Sequence, residues 1–347
     1  MLQSQAIQRF DLSIRRSDFS LLANREGFIG LRVMPAAGVA VPSSTFSRET
    51  IKTRLAPPRT LIRNPRAGYA KDEFGWTTDS FTTQEHGLES DVDDAEIELF
   101  GDFIQAEQIA ADRVVDQLLQ EHERDVAAMV FNTTNYTGDQ TIALSGTTTF
   151  KATATSTPVA TILAAKRQFR KFGLRANCLI IPELGLDYMM QSQSIIDRIK
   201  YSGQDDPKDV SMSMLKSLLR LDHILVADGY KNNTPSGTAA ATLARFWDPT
   251  MAMVCRIADG SSELTNSGPC LGRTVMFMKQ NSSIPGIGAS SAEGAIIMEE
   301  YREESRRGGV IRGRWNYQLK DFSDPMGDNT FFRAGVLITN VTDGTEM

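Results

Sequence analysis

The strongest periodic pattern in the chain predicts one amphipathic helix, from about residue 104 to residue 131. Apolar residues recur three or four positions apart, and charged residues occupy much of the opposite face. The apolar positions are Ala111, Val114, Val115, Leu118, Leu119, Val126, Met129 and Val130. At 1.5 Å per residue this helix is roughly 40 Å long. An apolar stripe of that length needs a long partner surface, and we expect a sheet to lie along it.

Residues 174–228 alternate between apolar strand patterns and short helical patterns. Buried strands are predicted at 176–182 and 222–229, with helices between them. A second amphipathic helix is predicted from Pro158 to Phe172, and Gly173 ends it. The order strand, helices, strand indicates a small α/β domain with a central sheet.

The rest of the second half is rich in β-type patterns. Strands are predicted at 251–257 and 274–279, after a loop at 229–245. Three longer runs follow at 295–304, 308–322 and 331–342, and they are long for strands of a globular protein. These runs make the C-terminal part of the chain β-rich.

Two N-terminal stretches have little core-forming content. Residues 1–26 are polar with scattered apolar positions, which is typical of an arm that is disordered alone or ordered by a partner. Within residues 47–95, the segment 51–66 contains three prolines and five basic residues. This stretch is either a disordered linker or an extended hairpin that packs on a neighbouring subunit. Phe74, Trp76 and Phe81 favour the hairpin, because disordered segments are poor in aromatic residues.

Composition and charge narrow the classes of function. The 347 residues are 41% hydrophobic and 23% charged, as in ordinary globular proteins. The net charge of -6 argues against tight nucleic-acid binding, which usually needs a basic chain. Cys178, Cys255 and Cys270 are far apart in sequence and form no CxxC pair, so buried thiols in a reducing compartment are expected. No apolar run approaches the roughly 18 residues that a membrane span needs.

Motifs for chemistry are weak throughout the sequence. No phosphate-binding GxxxxGK[ST] loop, HExxH or GxSxG is present, and the Gly286 and Gly288 pair indicates only a surface loop. His86, His122 and His223 are isolated, and a metal site or triad would need distant residues to converge. We therefore expect no catalytic residue, no bound metal and no cofactor.

Two charge clusters have alternative interpretations. The acidic group Asp91, Asp93, Asp94 and Glu96 lacks the glycine of a calcium loop, and we expect it near the N-terminus of the following helix. The basic group is Arg302, Arg306, Arg307, Arg312 and Arg314. It could face packaged DNA or an acidic neighbour. Because Glu299, Glu300, Glu303 and Glu304 lie alongside, solvated charges on a strand-turn-strand or a subunit contact are favoured.

Three segments resemble the major capsid proteins of tailed double-stranded DNA bacteriophages, whose fold is shared with encapsulins. The segment 109–132 is similar to the long helix of that family and ends in the charged run ERDVA. The segment 174–203 is similar to an apolar strand with a proline before a helix, followed by DRIKY. The segment 219–233 is similar to the next strand and loop of the same domain.

The resemblance implies an α+β fold in four parts. These are an N-terminal arm (1–46), an extended β-hairpin loop (47–95), a peripheral domain (96–157 and 296–347) and an axial α/β domain (158–295). The peripheral domain would place a long spine helix on a long-stranded sheet. The implied function is that of a structural subunit, not an enzyme, which self-assembles into the icosahedral head shell around the genome. The alternatives are an encapsulin-type compartment shell, a head or tail protein that forms rings, and a monomeric enzyme with an α/β domain.

The family also implies partners. We expect copies of the chain itself in pentamers and hexamers, a portal, and decoration proteins in some cases. Fewer than 50 residues precede the loop, so any scaffolding protein is expected to be separate. Packaged DNA would be touched non-specifically, no membrane is expected, and the shell would assemble in the host cytoplasm and become the virion capsid. The expected inter-subunit contacts lie in the loop: Arg54, Arg59, Arg63, Arg66, Lys71, Phe74, Trp76 and Phe81.

Overall fold

The structure is a computed structural model with side chains. It describes residues 21–48, 77–95, 106–136, 138–171, 173–200, 210–234, 242–258, 269–277, 296–303, 307–322 and 333–344. It also describes the short pieces 62–63, 65–66, 68–69, 325–326 and 330–331 and the single residues 71, 98 and 305. Two sheets of five strands each, a long helix and several shorter helices form the described part of the chain.

The first sheet is built around one long strand. Strand β13 (Gly308–Phe322) pairs antiparallel with β4 (Gln84–Asp93) along residues 308–317. On its other edge, β13 pairs with β12 (Ile297–Glu303) along residues 308–314 and with β11 (Cys270–Phe277) along residues 317–322. Strand β1 (Ala36–Val39) runs parallel to β11 and completes the sheet. We call this assembly the long sheet.

The long helix lies on one face of the long sheet. Helix α3 (Ala106–Val130) packs Val114 and Leu118 against Trp315 and Tyr317 of β13. Alternate residues of β13 are buried under the helix, as the pleat requires. Gly313 lies directly beneath the helix, where an added Cβ would come within 2.4 Å of Val114 Cγ1. The predicted long helix and its partner sheet are therefore confirmed, with the helix bounds within two residues of the expectation.

The second sheet forms the centre of an α/β unit. Its strand order is β5 (Thr141–Ala143), β16 (Gly335–Thr339), β10 (Ala252–Cys255), β6 (Cys178–Pro182) and β7 (His223–Ala227). Strands β6 and β7 are parallel, and β10 is antiparallel to both of its neighbours. Every residue of β6 and β10 is buried, which suits strands that are covered on both faces. We call this assembly the axial sheet.

Four helices belong to the axial unit. They are α4 (Pro158–Lys171), α5 (Glu183–Met190), α6 (Gln193–Lys200) and α7 (Met212–Leu219). Their apolar faces share a core cluster with β6, β10 and β16, including Ile162, Leu186 and Leu215. The predicted small α/β domain with a central sheet is thus present. Among the described residues, no helix is long and apolar enough to cross a membrane.

The remaining elements are small. Helices α1 (Leu21–Glu26) and α2 (Gly30–Val33) precede β1. Strand β2 (Ser43–Arg48) pairs with β3 (Thr77–Thr82), and β8 (Tyr230–Asn232) pairs with β9 (Leu243–Arg245). Strand β14 (Pro325–Met326) pairs with β15 (Thr330–Phe331).

Several strands pair outside the part to which the sequence assigned them. Strand β11 lies in the long sheet although the predicted axial domain was 158–295, and β4 lies there although the predicted loop was 47–95. Strands β5 and β16 lie in the axial sheet although both fall in the predicted peripheral segments. Strand β1, from the predicted arm, also joins the long sheet. The reason is that an apolar strand pattern fixes burial and not the sheet in which the strand pairs.

Candidate assembly surfaces and the junction of the two sheets

The base of the loop is a two-stranded ladder attached to the long sheet. In β2 and β3, residues 43–48 pair with residues 82–77. The ring of Phe46 lies 6.4 Å from the ring of Phe81 and 5.6 Å from the ring of Phe322, which ends β13. Phe81 is only 5% exposed. This residue was expected to contact a neighbouring subunit, but its burial within its own chain makes it part of the loop base.

Polar contacts hold the same base in place. Lys320 Nζ donates to Asp79 Oδ1 over 2.7 Å, and the backbone N–H of Thr82 donates to Gln318 Oε1 over 2.8 Å. Thr83 N–H donates to the carbonyl of Pro42 over 2.8 Å. These contacts fix the base of the loop, strands β2 and β3, against the C-terminal end of β13.

Beyond the base, the described loop residues are exposed. Ile62 is 85% exposed and Tyr69 is 76% exposed, both high values for such large side chains. The guanidinium of Arg63 lies 4.6 Å from the centroid of the Tyr69 ring and donates to the Tyr69 hydroxyl over 3.2 Å. Arg66 and Lys71 are exposed as well. Four expected contact residues, Arg54, Arg59, Phe74 and Trp76, lie outside the described residues.

The face of the long sheet opposite to α3 carries a network of ion pairs. Arg312 Nε donates to Glu89 over 2.7 Å, and a second nitrogen of Arg312 lies 3.7 Å from Glu299. Arg314 pairs with Glu299 and, at 3.4 Å, with Glu85. These pairs run across three neighbouring strands. The arginines predicted to form a basic cluster are thus neutralised here by acidic neighbours.

The other members of the two charge clusters are also placed by the structure. Arg302 donates through both terminal nitrogens to the carboxylate of Asp94, at 3.2 Å and 2.6 Å. Asp91 and Asp93 lie on β4, and Asp94 and Ala95 directly after it are helical, so the described acidic residues precede or begin a helical turn, near the place that was expected. Arg307 adopts a positive φ of 49° in the turn before β13, and Arg306 lies outside the described residues.

A buried carboxylate joins α3 to two distant parts of the chain. Glu123 is 1% exposed and accepts hydrogen bonds from Ile29 N–H at 3.0 Å, Gly30 N–H at 2.7 Å and Trp247 Nε1–H at 2.5 Å. Burial raises the pKa of Glu123, while the three donors act in the opposite direction. A Cβ at Gly30 would come within 2.6 Å of Glu123 Oε2, so this contact requires glycine.

His122 is a second buried polar group at the same junction. Its Nε2 lies 2.9 Å from Thr274 Oγ1, and the Thr274 hydroxyl donates to the Met34 carbonyl over 2.9 Å. Because that hydroxyl proton is used, the Nε2–H of His122 is the donor to Thr274. Burial, followed by the charge of His86, lowers the pKa of His122 to about 3.

An ion pair holds the N-terminal helices along α3. Arg25 of α1 pairs with Asp116, whose side chain is almost fully buried. Sequence reasoning overlooked this junction, although a signal existed. Asp116 and Glu123 fall in the apolar stripe of α3, on either side of Leu119 and at the same three-to-four spacing. Among the described residues, no group of three or more His, Cys, Asp or Glu side chains could hold a metal ion.

Solved structures define the class of fold. The chain is similar over 95% of its length, and 95% of the other, to a phage-related protein from Bordetella bronchiseptica RB50, with 17% identity and a TM-score of 0.60. The similarity to the capsid structure of Cyanophage P-SCSP1u covers 88% of this chain and 86% of that chain, with 11% identity and a TM-score of 0.54. The encapsulin complex from Synechococcus elongatus PCC 7942 matches 96% and 95%, with 8% identity and a TM-score of 0.53. The protein therefore has the fold of phage capsid and encapsulin shell proteins.

A sequence relative points to one branch of that class. The Major capsid protein of Pseudomonas phage JBD67 is 24% identical over 289 residues, which are 81% of this chain and 89% of that protein. No protein-family model matches the sequence. The resemblance to phage major capsid proteins that three segments of the sequence indicated is confirmed by the sequence relative and the fold together.

Proposed function

We infer that this protein is a phage major capsid protein, a structural subunit that self-assembles into the icosahedral head shell around the genome. The observation that carries this function is the sequence similarity to one phage major capsid protein over 81% of this chain and 89% of that protein. The fold supports it, since a phage capsid and an encapsulin share it over most of their length. In such shells, equivalent surfaces repeat by symmetry until the assembly closes.

The second candidate is the shell of an encapsulin-type compartment. The structural similarity to the Synechococcus encapsulin favours it, although no sequence relative does so. The two candidates differ in what the shell encloses. Purified particles treated with nuclease should retain protected DNA when they are made with the phage packaging machinery. Particles that instead retain a co-purified enzyme and no nucleic acid would support the compartment.

We propose that the loop makes the contacts between subunits. Ile62 and Tyr69 expose apolar surface that a second copy of the chain could cover. Arg63, Arg66 and Lys71 lie beside them and can pair with acidic side chains of the neighbour. Phe46, Phe81 and Lys320 hold the base of the loop against the end of β13. Phe81 thus contributes indirectly, whereas Arg54, Arg59, Phe74 and Trp76 remain proposed direct contacts.

Charge reversal tests the loop proposal. Arg63→Glu combined with Arg66→Glu should leave the subunit folded and weaken assembly at least tenfold, measured as the subunit concentration at which particles appear in light scattering. The matched control is Arg167→Glu with Arg170→Glu, two exposed basic residues on α4. Equal assembly thresholds for the loop variant, the control and the unchanged protein would contradict the proposal.

We propose the remaining partners from the family resemblance alone. A separate scaffolding protein, a portal and decoration proteins would act at fixed stages of assembly in the host cytoplasm. Packaged double-stranded DNA would be contacted non-specifically, in keeping with a net charge of -6. Co-expression with a candidate scaffolding protein is the direct test, because a required scaffold changes the yield of closed particles.

A further inference from the structure

Two of the three cysteines face each other across the centre of the axial sheet. Cys178 begins β6 and Cys255 ends β10, and the antiparallel register pairs them directly. Both side chains are 0% exposed. Directly paired residues of an antiparallel ladder project from the same face of the sheet, so the two thiols are neighbours in one core cluster.

The spacing of such a pair is compatible with a disulfide bond. Directly opposite residues have Cα atoms about 4.5 Å or 5.5 Å apart, depending on the hydrogen-bond pattern. Disulfides usually join Cα atoms that are about 4.4–6.8 Å apart. The thiols already influence each other: burial raises the pKa of Cys255 well above its usual value, and the Cys178 thiol raises it further.

Both cysteines are free thiols in the structure, and burial explains how that state persists. A buried thiol is rarely ionised, and the thiolate is the form that reacts. A reducing cytoplasm would also keep the pair reduced, whereas an extracellular particle meets oxidants. The move from a reducing cytoplasm to an extracellular particle rests on the proposed function, whereas formation of the disulfide bond does not.

We propose that Cys178 and Cys255 are an oxidation site, at which a small peroxide converts the facing thiols into a disulfide within one subunit. The thiolate of one cysteine attacks a peroxide oxygen, which breaks the O–O bond, forms a sulfenic acid and releases hydroxide. The second thiol then attacks the sulfenic sulfur and releases water. Overall, two thiols are oxidised, one hydrogen peroxide is reduced, and two waters form.

The bond would connect the two central strands of the axial sheet. It would close a loop of about 80 residues, and long closed loops restrict the unfolded chain most. A disulfide at this place should therefore raise the unfolding temperature of the axial unit, by roughly 5 °C. It would require little movement of the strands, because their register already places the two residues opposite each other.

The test uses the purified full chain with hydrogen peroxide as the probe. Thiols counted in denaturant should fall from three to one. Digestion with trypsin without reduction should yield one linked pair of peptides, Ala176–Arg198 with Phe246–Arg256, which separates after reduction. Cys270→Ser should leave this link unchanged, because Cys270 lies on β11 of the long sheet. Cys255→Ser should abolish it.

Three outcomes would overturn the proposal. The first is that three thiols remain after methionines of the same sample have been oxidised. The second is loss of thiols without a linked peptide, which indicates separate sulfinic acids. The third is a link that includes Cys270. None of these results depends on shell formation, so failure here is distinguishable from failure of the proposed function.

Discussion

Glu123 illustrates how one residue holds several segments together. Its carboxylate satisfies two backbone N–H groups of the N-terminal segment and the indole N–H of Trp247, all within the protein interior. An ionised carboxylate accepts several donors at once, and such charge-assisted hydrogen bonds are stronger than neutral ones. Removing it would leave three buried donors without an acceptor, and the cost of a buried unpaired donor exceeds the gain from one bond.

Replacement of this carboxylate gives the first prediction. Glu123→Gln should lower the free energy of unfolding by about 3 kcal/mol, because the amide keeps one acceptor and turns a donor toward other donors. Chemical denaturation of the purified subunit measures the change. The control Glu107→Gln, at an exposed position of the same helix, should change stability by less than about 0.5 kcal/mol. Equal effects of the two variants would contradict this account.

His122 predicts a dependence of stability on pH. Its pKa is about 3 in the folded chain and near 6.5 when unfolded, so the unfolded state binds an extra proton between these values. The stability contributed by neutral His122 is complete above pH 6.5 and is lost as the pH falls toward 3. The slope amounts to about 1.4 kcal/mol per pH unit.

The measurement compares denaturation curves at pH 7.5 and pH 5. His122→Gln should flatten the loss of stability between these two pH values, because glutamine does not titrate. His223→Gln, at an exposed position, should keep the slope of the unchanged protein. The difference between variants also removes the opposing effect of Glu123, whose raised pKa favours the folded state as the pH falls. An unchanged slope in His122→Gln would refute the assignment.

At the scale of elements, the contact of α3 with the long sheet depends on close approach at Gly313. Gly313→Ala should lower the free energy of unfolding by about 1–3 kcal/mol, because the new Cβ meets Val114 at 2.4 Å and Leu118 at 3.2 Å. Gly309→Ala is the matched control on the same strand, where, among the described residues, an added Cβ comes near Glu300 Oε1 alone, at 3.9 Å. Thermal unfolding of both variants measures the difference. Similar midpoint temperatures would contradict the prediction, because they would show that the helix and the sheet accommodate the added Cβ.

Some helices and strands could be predicted from the sequence, whereas the pairing of several strands could not. Helix α3 was predictable because its apolar spacing continues from Ala111 to Val130, and β6 and β7 were predictable because each is a short apolar run with turn residues around it. The sheet membership of β11 and β16 was not predictable, since it depends on pairings between residues far apart in sequence. The Glu123 junction was missed for the same reason: its donors lie about 90 and 120 positions away.

For the whole molecule, the exposed loop and the fixed base together support a subunit that is completed by its neighbours. Tryptophan fluorescence can follow that completion. Trp247 and Trp315 are each 1% exposed in the subunit, so assembly should leave their emission unchanged. The third tryptophan, Trp76, is a proposed contact. Assembly should therefore shift the emission of the unchanged protein to shorter wavelength. This shift should disappear in Trp76→Phe. A shift that persists in that variant would show that Trp76 is not an interface contact.

Electron microscopy of the protein expressed alone shows whether this chain is a shell subunit. A separate candidate scaffolding protein should be added in a parallel preparation. A shell subunit should form closed particles tens of nanometres across, or rings of five and six subunits. A variant lacking residues 50–76 should remain folded but form neither. A stable monomer or dimer of the unchanged protein in both preparations and over a range of salt concentrations would contradict the shell-subunit function.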